Sequence, residues 1–249
     1  MPTLKLTLEY DGTDFVGWQI QAEGRTVQEV VEKALAKLLG HEVRVTGSGR
    51  TDSGAHAPGQ EVSLKTDREL PRDAYLKGLN AILPKDVAVV DVEEVPADFC
   101  ARRSASKKRY VYRISNRKVR SPLRRRTHWE LFRPLDVEAM REAAAHFVGE
   151  HDFSAFRAAN CQAPTTVRRL FRLDVERRDD DEIVLVFEAT AFLKHMVRNI
   201  TGTLVEVGQG KRRPEEIPAL LASRDRRLAG ETAPAHGLVL ERVWYNRSR

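Results

Sequence analysis

One carboxylate in this sequence stands in a setting that suits catalysis. Asp52 follows Arg50 and Thr51 in a loop rich in glycine. Glycines allow backbone conformations that other residues avoid, and they let a ligand approach the chain closely. A carboxylate held in such a loop can act as a nucleophile toward a bound substrate. The glycines of this segment are Gly47, Gly49, Gly54 and Gly59.

Arg50 is close enough in sequence to pair with Asp52. A guanidinium beside an aspartate keeps the carboxylate ionised and therefore nucleophilic. A simpler interpretation is that Asp52 is a turn residue that bonds its own backbone, as aspartates before Ser-Gly commonly do. The loop matches neither a G-x-S-x-G nucleophile elbow nor a phosphate-binding loop ending in Lys-Ser or Lys-Thr. Residue types alone leave both interpretations of Asp52 open.

The charge distribution points to a polyanionic partner. The formal net charge is +6 and the sequence pI is about 9.4. Six basic residues fall in one short stretch interrupted by Ser121-Pro122, which is a poor core segment and a suitable clamp for phosphates. Charge alone does not distinguish RNA from DNA. The six are Arg117, Lys118, Arg120, Arg124, Arg125 and Arg126.

Composition argues against several classes of protein. The two cysteines, Cys100 and Cys161, cannot build a disulfide framework, and the seven histidines lack metal-binding spacing. No apolar run approaches the ~18 residues of a membrane span, and the N-terminus lacks a secretory pattern. We therefore expect a cytoplasmic protein without metal and without membrane attachment.

Hydrophobic periodicity predicts the elements around the loop. Alternation from Leu4 to Tyr10 predicts a strand, and Thr26 with Glu29 forms a capping box for a helix that ends at Gly40. Further strands are predicted over 43–46, 87–95 and 238–245, and a second helix between Pro71 and Pro84. The segment 43–46 leads directly into the glycine-rich loop.

The second half has the same mixture of elements. We predict a helix over 136–148 stopped by Gly149, a hairpin across the acidic turn 179–181, and a helix that includes Leu193 and ends at Gly208. Hairpins interleaved with single helices indicate an α+β protein with largely antiparallel sheets. The polar, basic stretch after Ala101 predicts two mixed halves, an N-terminal domain over 1–104 that carries the Asp52 loop and a C-terminal domain over 105–249.

Several motifs together resemble the TruA family of pseudouridine synthases. The segment from Gly49 to Ala57, G-R-T-D-x-G-x-H-A, is similar to the active-site signature of that family. Ala55 stands where a valine is expected, a small apolar exchange that leaves the chemistry intact. Other matching segments follow in order along nearly the whole chain. They are Tyr10–Gln19, Ala101–Ala105, Arg109–Tyr112, His151–Phe153, Met196–Ile200, Thr232–Ala235 and Gly237-Leu238.

The resemblance implies a fold and a reaction. It implies a pseudouridine synthase fold with a catalytic cleft between the halves. The family isomerises uridine in the anticodon stem-loop of tRNA (tRNA positions 38–40), so that the C1′–N1 bond is replaced by a C1′–C5 bond. Nothing is added or lost, so no cofactor is required. The resemblance also implies a homodimer that holds tRNA across both subunits.

The resemblance also assigns roles to four residues. Asp52 would be the catalytic nucleophile, attacking the base or the sugar, and Arg50 and Arg198 would hold the carboxylate or contact phosphate. Tyr110 would lie against the target base, replacing part of the stacking lost when uridine leaves its helix. Periodicity alone equally allows a solvated Arg198 and a core Tyr110. His56 is interpreted as a loop histidine bonded to backbone.

Two other functions remain compatible with the sequence. A non-catalytic RNA-binding protein would use Asp52 only to shape a loop. A magnesium-dependent nuclease or phosphotransferase would need further carboxylates near Asp52, and folding would have to bring Asp11 and Asp14 to it.

Overall fold

A computed structural model describes residues 2–179 and 181–246, and within them the chain forms two compact units. The first contains the residues up to Ser106 and those from Val239 onward, and the second runs from Lys107 to Leu238. Each unit combines helices with a sheet whose main strands are antiparallel. The predicted α+β class is confirmed.

The first unit is built on a four-stranded sheet. Its strands are β1 (Thr3–Tyr10), β2 (Thr46–Gly47), β3 (Ala57–Lys65) and β4 (Val87–Val95), in the order β2-β3-β1-β4. Two helices, α1 (Val27–Leu39) and α2 (Arg72–Ile82), pack against each other, and α2 also contacts β4. The predicted alternation of β1 is confirmed, since Leu4, Leu6 and Leu8 are buried. Each such leucine contributes about 1.5–3 kcal/mol by leaving water.

Both ends of α1 follow from its sequence. The Thr26 hydroxyl accepts a bond from the backbone N–H of Glu29, which satisfies one of the unpaired donors of the first turn. Gly40 ends the helix in the left-handed region, at φ 81°, where a glycine is favoured. These caps fix where α1 begins and where it ends.

The predicted strand over 43–46 is wrong in its bounds, because β2 contains only Thr46 and Gly47. Val43 and Val45 are buried, as the alternation suggested. The backbone N–H of Val45, however, donates to the carboxylate of Glu32 on α1 at 3.0 Å instead of joining a strand ladder. A helix side chain thus takes the place of a neighbouring strand.

The second unit contains a larger sheet and its helices. The elements are β5 (Ala105–Asn116), β6 (Trp129–Leu131), α3 (Val137–Ala145), β7 (Gly149–Asp152), β8 (Val167–Asp179), β9 (Glu182–Ala189), α4 (Met196–Gly208) and α5 (Ile217–Ser223). Strands β5, β9, β8 and β7 are adjacent in that order and antiparallel, and β6 pairs with β5 in parallel. Helix α3 contacts both α4 and β8.

Two helix bounds in the second unit differ from the prediction. Helix α3 ends at Ala145, and the next three residues form i→i+3 turns. Gly149 follows with a φ of 117° and is the first residue of β7. Gly149 is therefore a turn residue at a strand start and not a helix stop. Leu193 precedes α4, which begins at Met196 and ends at Gly208 as predicted.

The predicted hairpin is confirmed, and the structure gives its register. Leu173 pairs with Phe187 and Val175 pairs with Leu185 across β8 and β9. All four side chains are buried. The middle residue of the predicted acidic turn, Asp180, lies outside the described residues.

The last strand, β10 (Leu238–Tyr245), brings the end of the chain to the first unit. Its Leu240 N–H donates to the carbonyl of His56 at 2.9 Å. The division into domains at residues 104 and 105 stays a prediction. Among the helices of the described chain, none has the length and apolar character needed to cross a membrane.

Candidate active site

The loop that carries Asp52 connects β2 to β3 in the first unit. Thr51 is buried, Asp52 is half-buried and Arg50 is exposed. The Asp52 carbonyl accepts the N–H of Ala55 at 3.1 Å, and Gly54 lies between them at φ 82°. The turn expected for Asp-Ser-Gly is therefore present, while the Asp52 side chain remains partly accessible. A turn at Asp52 and a chemical role for its carboxylate are compatible.

The segment after β1 holds this loop on both sides of Asp52. The Trp18 N–H donates to the carbonyl of Thr51 at 3.1 Å, and the Gly54 N–H donates to the carbonyl of Phe15 at 3.2 Å. The hydroxyl of Ser53 donates to the same Phe15 carbonyl at 3.2 Å. Because Phe15 and Trp18 are themselves buried, these bonds fix the loop to the core of the unit.

A buried polar cluster supports the start of the loop. The Ser48 hydroxyl donates to Gln60 Oε1 at 2.7 Å, and Gln60 Nε2 donates to the carbonyl of Gly49 at 2.8 Å. The hydroxyl of Tyr10 lies 2.8 Å from that of Thr51, and both groups are buried. Burial raises the pKa of Tyr10 far above its usual value, so this hydroxyl stays neutral. The side chain of Thr51, the residue before Asp52, is therefore held in place by Tyr10.

Two glycines permit the close contact between these segments. A Cβ at Gly12 would lie 1.9 Å from the carbonyl oxygen of Ala55, where no side chain fits. At Gly17 the backbone has φ 108°, and a Cβ would lie 2.9 Å from the carbonyl oxygen of Thr51. The glycines of the N-terminal motif are therefore explained by contact with the Asp52 loop.

His56 joins the same two segments. Its Nδ1 accepts the N–H of Gly12 at 3.1 Å, and the carboxylate of Asp11 lies 3.1 Å from the same nitrogen. The ring is buried. The same ring nitrogen therefore contacts both residues of the Asp11-Gly12 turn and ties that turn to the loop. The predicted backbone-bonded histidine is confirmed.

The carboxylates considered for a metal-dependent alternative are Asp11 and Asp14. Asp11 accepts both the N–H and the hydroxyl of Thr13, at 3.0 and 2.6 Å, in a local turn. Asp14 is exposed. Across residues 2–179 and 181–246, no group of three or more His, Cys, Asp or Glu side chains is placed to hold a metal ion. The ion pair predicted between Arg50 and Asp52 stays a prediction.

Tyr110 lies on β5 in the second unit and is 6% exposed. Its ring meets that of Phe192 edge-on, with centroids 5.0 Å apart. Tyr112, two residues along the same face, is fully buried and donates its hydroxyl to the carbonyl of Pro234 at 2.6 Å. Both tyrosines are therefore buried, as the core interpretation expects. Phe192, which lies in the segment between β9 and α4, was missed from sequence.

Arg198 lies in the first turn of α4 and is half-buried. Its Nε donates to the carbonyl of Ala233 at 2.7 Å, and the Ala233 N–H donates back to the Arg198 carbonyl at 3.2 Å. The interpretation as a purely solvated helix residue is therefore wrong, because the side chain is held by a loop. The Tyr112 hydroxyl donates to the next residue of that loop, Pro234. The loop is therefore held by α4 at Ala233 and by β5 at Pro234.

A buried network behind Arg198 was also not predicted. Asn199 is fully buried, and its Oδ1 accepts the Thr232 hydroxyl at 2.7 Å and an Arg226 N–H at 3.1 Å. Its Nδ2 donates to the carbonyl of Phe156 at 2.8 Å. Desolvation lowers the pKa of Arg226, although it stays charged at neutral pH. The polar residues that follow Arg198 thus fix the loop that orients it.

The predicted site residues fall into two groups by unit. Asp52 and Arg50 share one loop of the first unit, and His56 closes that loop. Tyr110 and Arg198 lie on β5 and α4 of the second unit. Arg198 is near enough to Tyr112 for its charge to oppose the effect of burial, which raises the pKa of Tyr112.

Comparison with known proteins identifies the family. The sequence profile described as tRNA pseudouridine synthase matches residues 7–103 and 143–246. A tRNA pseudouridine synthase A of Myxococcus xanthus is 59% identical over 245 residues, covering 98% of this chain and 92% of that protein. The protein of the same name from Geotalea uraniireducens is 50% identical, covering 98% of this chain and all of that protein.

A solved Cbf5-Nop10-Gar1 complex is a more remote match. It shares 13% identity, with a TM-score of 0.40 over 81% of this chain and 45% of that one, which is too remote to support an inference. The family profile and the near full-length relatives show the family of this chain. The chain belongs to the tRNA pseudouridine synthase family and is an isomerase that converts uridine to pseudouridine.

Proposed function

We propose that this enzyme modifies neighbouring uridines on the 3′ side of the anticodon stem-loop of tRNA, and that Asp52 is its nucleophile. The observation that supports this most strongly is the bracing of Asp52. Backbone bonds from Trp18 and Gly54 hold the chain on either side of it, and the side chain keeps part of its surface accessible. A carboxylate that is fixed in this way needs little reorganisation before it attacks the substrate.

The reaction balances without a co-reactant. The C1′–N1 bond breaks, the uracil turns, and C1′ bonds to C5, which loses its proton while N1 gains one from solvent. The Asp52 carboxylate attacks the nucleotide, at the sugar or at the base, and leaves again before the product is released. Because no atom is added to the product except by proton exchange, we propose that no cofactor takes part.

Tyr110 and two arginines would hold the target nucleotide. We assign Tyr110 to the flipped base, where its ring replaces part of the lost stacking. Arg50 and Arg198 would bind phosphate or hold the Asp52 carboxylate. The bond from Arg198 Nε to the Ala233 carbonyl holds one N–H of the guanidinium, so the position of this group is set before substrate binds.

The setting of the reaction is also proposed. We infer a cytoplasmic enzyme that acts as a homodimer, with tRNA held across both subunits. Recognition of several adjacent uridines favours contacts to the shape and phosphates of the RNA over contacts to base edges. A non-catalytic RNA-binding role is the alternative, and it would leave every uridine unchanged.

Mapping the product tests the proposal. An unmodified tRNA transcript is incubated with the enzyme in EDTA, treated with carbodiimide and read by primer extension. We expect new stops at uridines on the 3′ side of the anticodon stem-loop and nowhere else. Stops in another arm of the tRNA would refute the assigned target, and a requirement for added metal would refute the cofactor-free mechanism.

A further inference from the structure

The basic stretch predicted from sequence forms a defined loop in the second unit. This basic loop, residues 117–128, connects β5 to β6 and consists of consecutive turns. Arg124 accepts two backbone bonds at its carbonyl, from Thr127 and His128, both at 2.9 Å. The Ser121 N–H donates to the carboxylate of Glu130 on β6. The loop is thus held by its own turns and by the strand that follows it.

Two of the six basic side chains serve to anchor the loop. Arg124 and Arg117 both bind the carboxylate of Asp181 at the tip of the β8–β9 hairpin, at 2.8 and 3.5 Å. The Arg124 guanidinium holds the pKa of Asp181 below its usual value, so the pair stays ionised at neutral pH. Both arginines are only half-exposed.

The end of the loop is held by a histidine. His128 is buried and lies 2.9 Å from Glu182, the first residue of β9. Burial lowers the pKa of His128, although Glu182 opposes the shift. The carbonyl of His128 also contacts Nε2 of His236 at 2.9 Å. The hairpin tip therefore supports the basic loop at both of its ends.

The other basic side chains lie on the outside. Lys118, Arg120, Arg125 and Arg126 are exposed. Arg125 donates one N–H to the carbonyl of Pro122 at 2.9 Å, which fixes the direction of its guanidinium. Leu123, at the turn between these cations, is 95% exposed, and Val119 is 63% exposed. The outer surface is therefore cationic, with an apolar tip.

We propose that the outer surface of the basic loop docks the RNA substrate, with Arg120 and Arg125 on backbone phosphates and Leu123 against a sugar or base. This rests on the proposed function only in that the partner is RNA. RNA presents closely spaced phosphates beside the apolar faces of sugars and unstacked bases. Because the loop is held in place before binding, little conformational entropy is lost when it docks.

A second copy of this chain is a less suitable occupant. Bringing two surfaces with the same positive charge together is unfavourable. The apolar part, Val119 and Leu123, is also small beside the area that a stable protein interface buries. Charge complementarity therefore favours a polyanion, and self-association is one outcome of the test.

The test compares two charge-matched variants of the full chain. R120Q/R125Q removes two outer cations, while K33Q/K77Q removes two exposed lysines that form i,i+4 pairs on α1 and α2. Binding of an unmodified tRNA transcript is measured from low to high salt. We expect R120Q/R125Q to weaken binding about tenfold and to flatten the plot of log Kd against log salt by about 1–2 units, one for each lost phosphate contact. The control should match the unchanged enzyme.

A third variant and a second readout complete the test. L123S should weaken binding several-fold without changing the salt dependence, and the K33Q/K77Q control should keep the turnover of the unchanged enzyme. An unchanged salt dependence for R120Q/R125Q would overturn the proposal. So would a change in molar mass of L123S in light scattering, which would assign the surface to a second copy. If the unchanged enzyme shows no turnover of the tRNA, the proposed function is refuted, while the binding data still decide whether the basic loop docks RNA.

Discussion

The hydroxyls of Tyr10 and Thr51 form a buried hydrogen bond, 2.8 Å long, between the last residue of β1 and the residue that precedes Asp52. The bond connects the central region of the first sheet to the candidate catalytic loop. Gln60, on the neighbouring strand β3, lies 3.5 Å from the Tyr10 hydroxyl and also bonds the loop at Gly49. Asp52 is thus positioned by the sheet through side chains as well as through backbone bonds.

Removal of the Tyr10 hydroxyl should separate positioning from stability. We expect Tyr10→Phe to lower the free energy of unfolding by about 1 kcal/mol, since Thr51 loses a buried partner. We also expect kcat to fall about fivefold with KM unchanged, because Asp52 is held less firmly. Urea denaturation and steady-state turnover measure the two effects.

Tyr75→Phe is the matched control for that variant. The Tyr75 hydroxyl donates to the carbonyl of Arg68 at 2.7 Å, in the same unit and away from the Asp52 loop. Its loss should cost similar stability with no change in kcat. If both variants lower kcat equally, the Tyr10–Thr51 bond acts through stability and has no positioning role.

His56 provides a second test of how the loop is held. The amide of an Asn side chain can place its oxygen near the position of Nδ1, while that of Gln reaches the position of Nε2. We expect His56→Asn to keep kcat within about threefold and His56→Gln to lose about tenfold, since one hydrogen bond is worth about 1 kcal/mol. The opposite order would show that Nε2, not the Nδ1 contact to Gly12, carries the role.

The pair formed by Arg25 and Asp86 gives a pH-dependent prediction. Arg25 binds the Asp86 carboxylate through two N–H groups, at 2.6 and 2.8 Å, and lies over the Phe15 ring at 4.1 Å. The bonds from Arg25 lower the pKa of Asp86. Ionised Asp86 therefore stabilises the fold above the unfolded pKa of about 4, and this contribution is lost as the pH falls through the lower folded pKa.

Unfolding of Asp86→Asn measures that contribution. Both side chains are partly exposed, so we expect a loss of only about 0.5–1 kcal/mol at pH 7 relative to the unchanged enzyme. The difference should persist to pH 5 and shrink below pH 4. Asp91→Asn, which breaks a more exposed pair with Arg72 at 2.6 Å, is the control and should show a pH dependence of the same sign. Only Asp86→Asn should lower turnover, because Arg25 supports Phe15. A difference that stays constant down to pH 3 would contradict this account.

Local sequence patterns predicted most elements because their causes are local. The bounds of β4 and β10 agree with segments rich in β-branched and aromatic residues, and the ends of α1 follow from Thr26 and Gly40. The error at residues 43–46 has a different origin. Val45 has the buried, alternating pattern of a strand, but its partner is the Glu32 side chain, which no periodicity reveals.

The residues that hold Asp52 and Arg198 in place could not be predicted from the sequence, for the same reason. Asp52 was identified from its glycine-rich loop and Arg198 through a family motif, yet the groups that hold them come from distant positions in the chain. Asn199 bonds Thr232 across 33 residues, and Gln60 is an unremarkable glutamine within a strand. Such pairs depend on how elements pack, so they become visible only when the fold is known.

The role of Asp52 itself is tested most directly by the release of tritium from tRNA labelled at uracil C5, measured in EDTA. Asp52→Asn keeps the size of the side chain and removes its charge, and Asp67→Asn removes a carboxylate from the exposed turn after β3 as a control. We predict release by the unchanged enzyme and by the control, and none by Asp52→Asn, whose tRNA affinity should be retained. Tritium release by Asp52→Asn at the rate of the unchanged enzyme would contradict the assignment of Asp52 as the nucleophile.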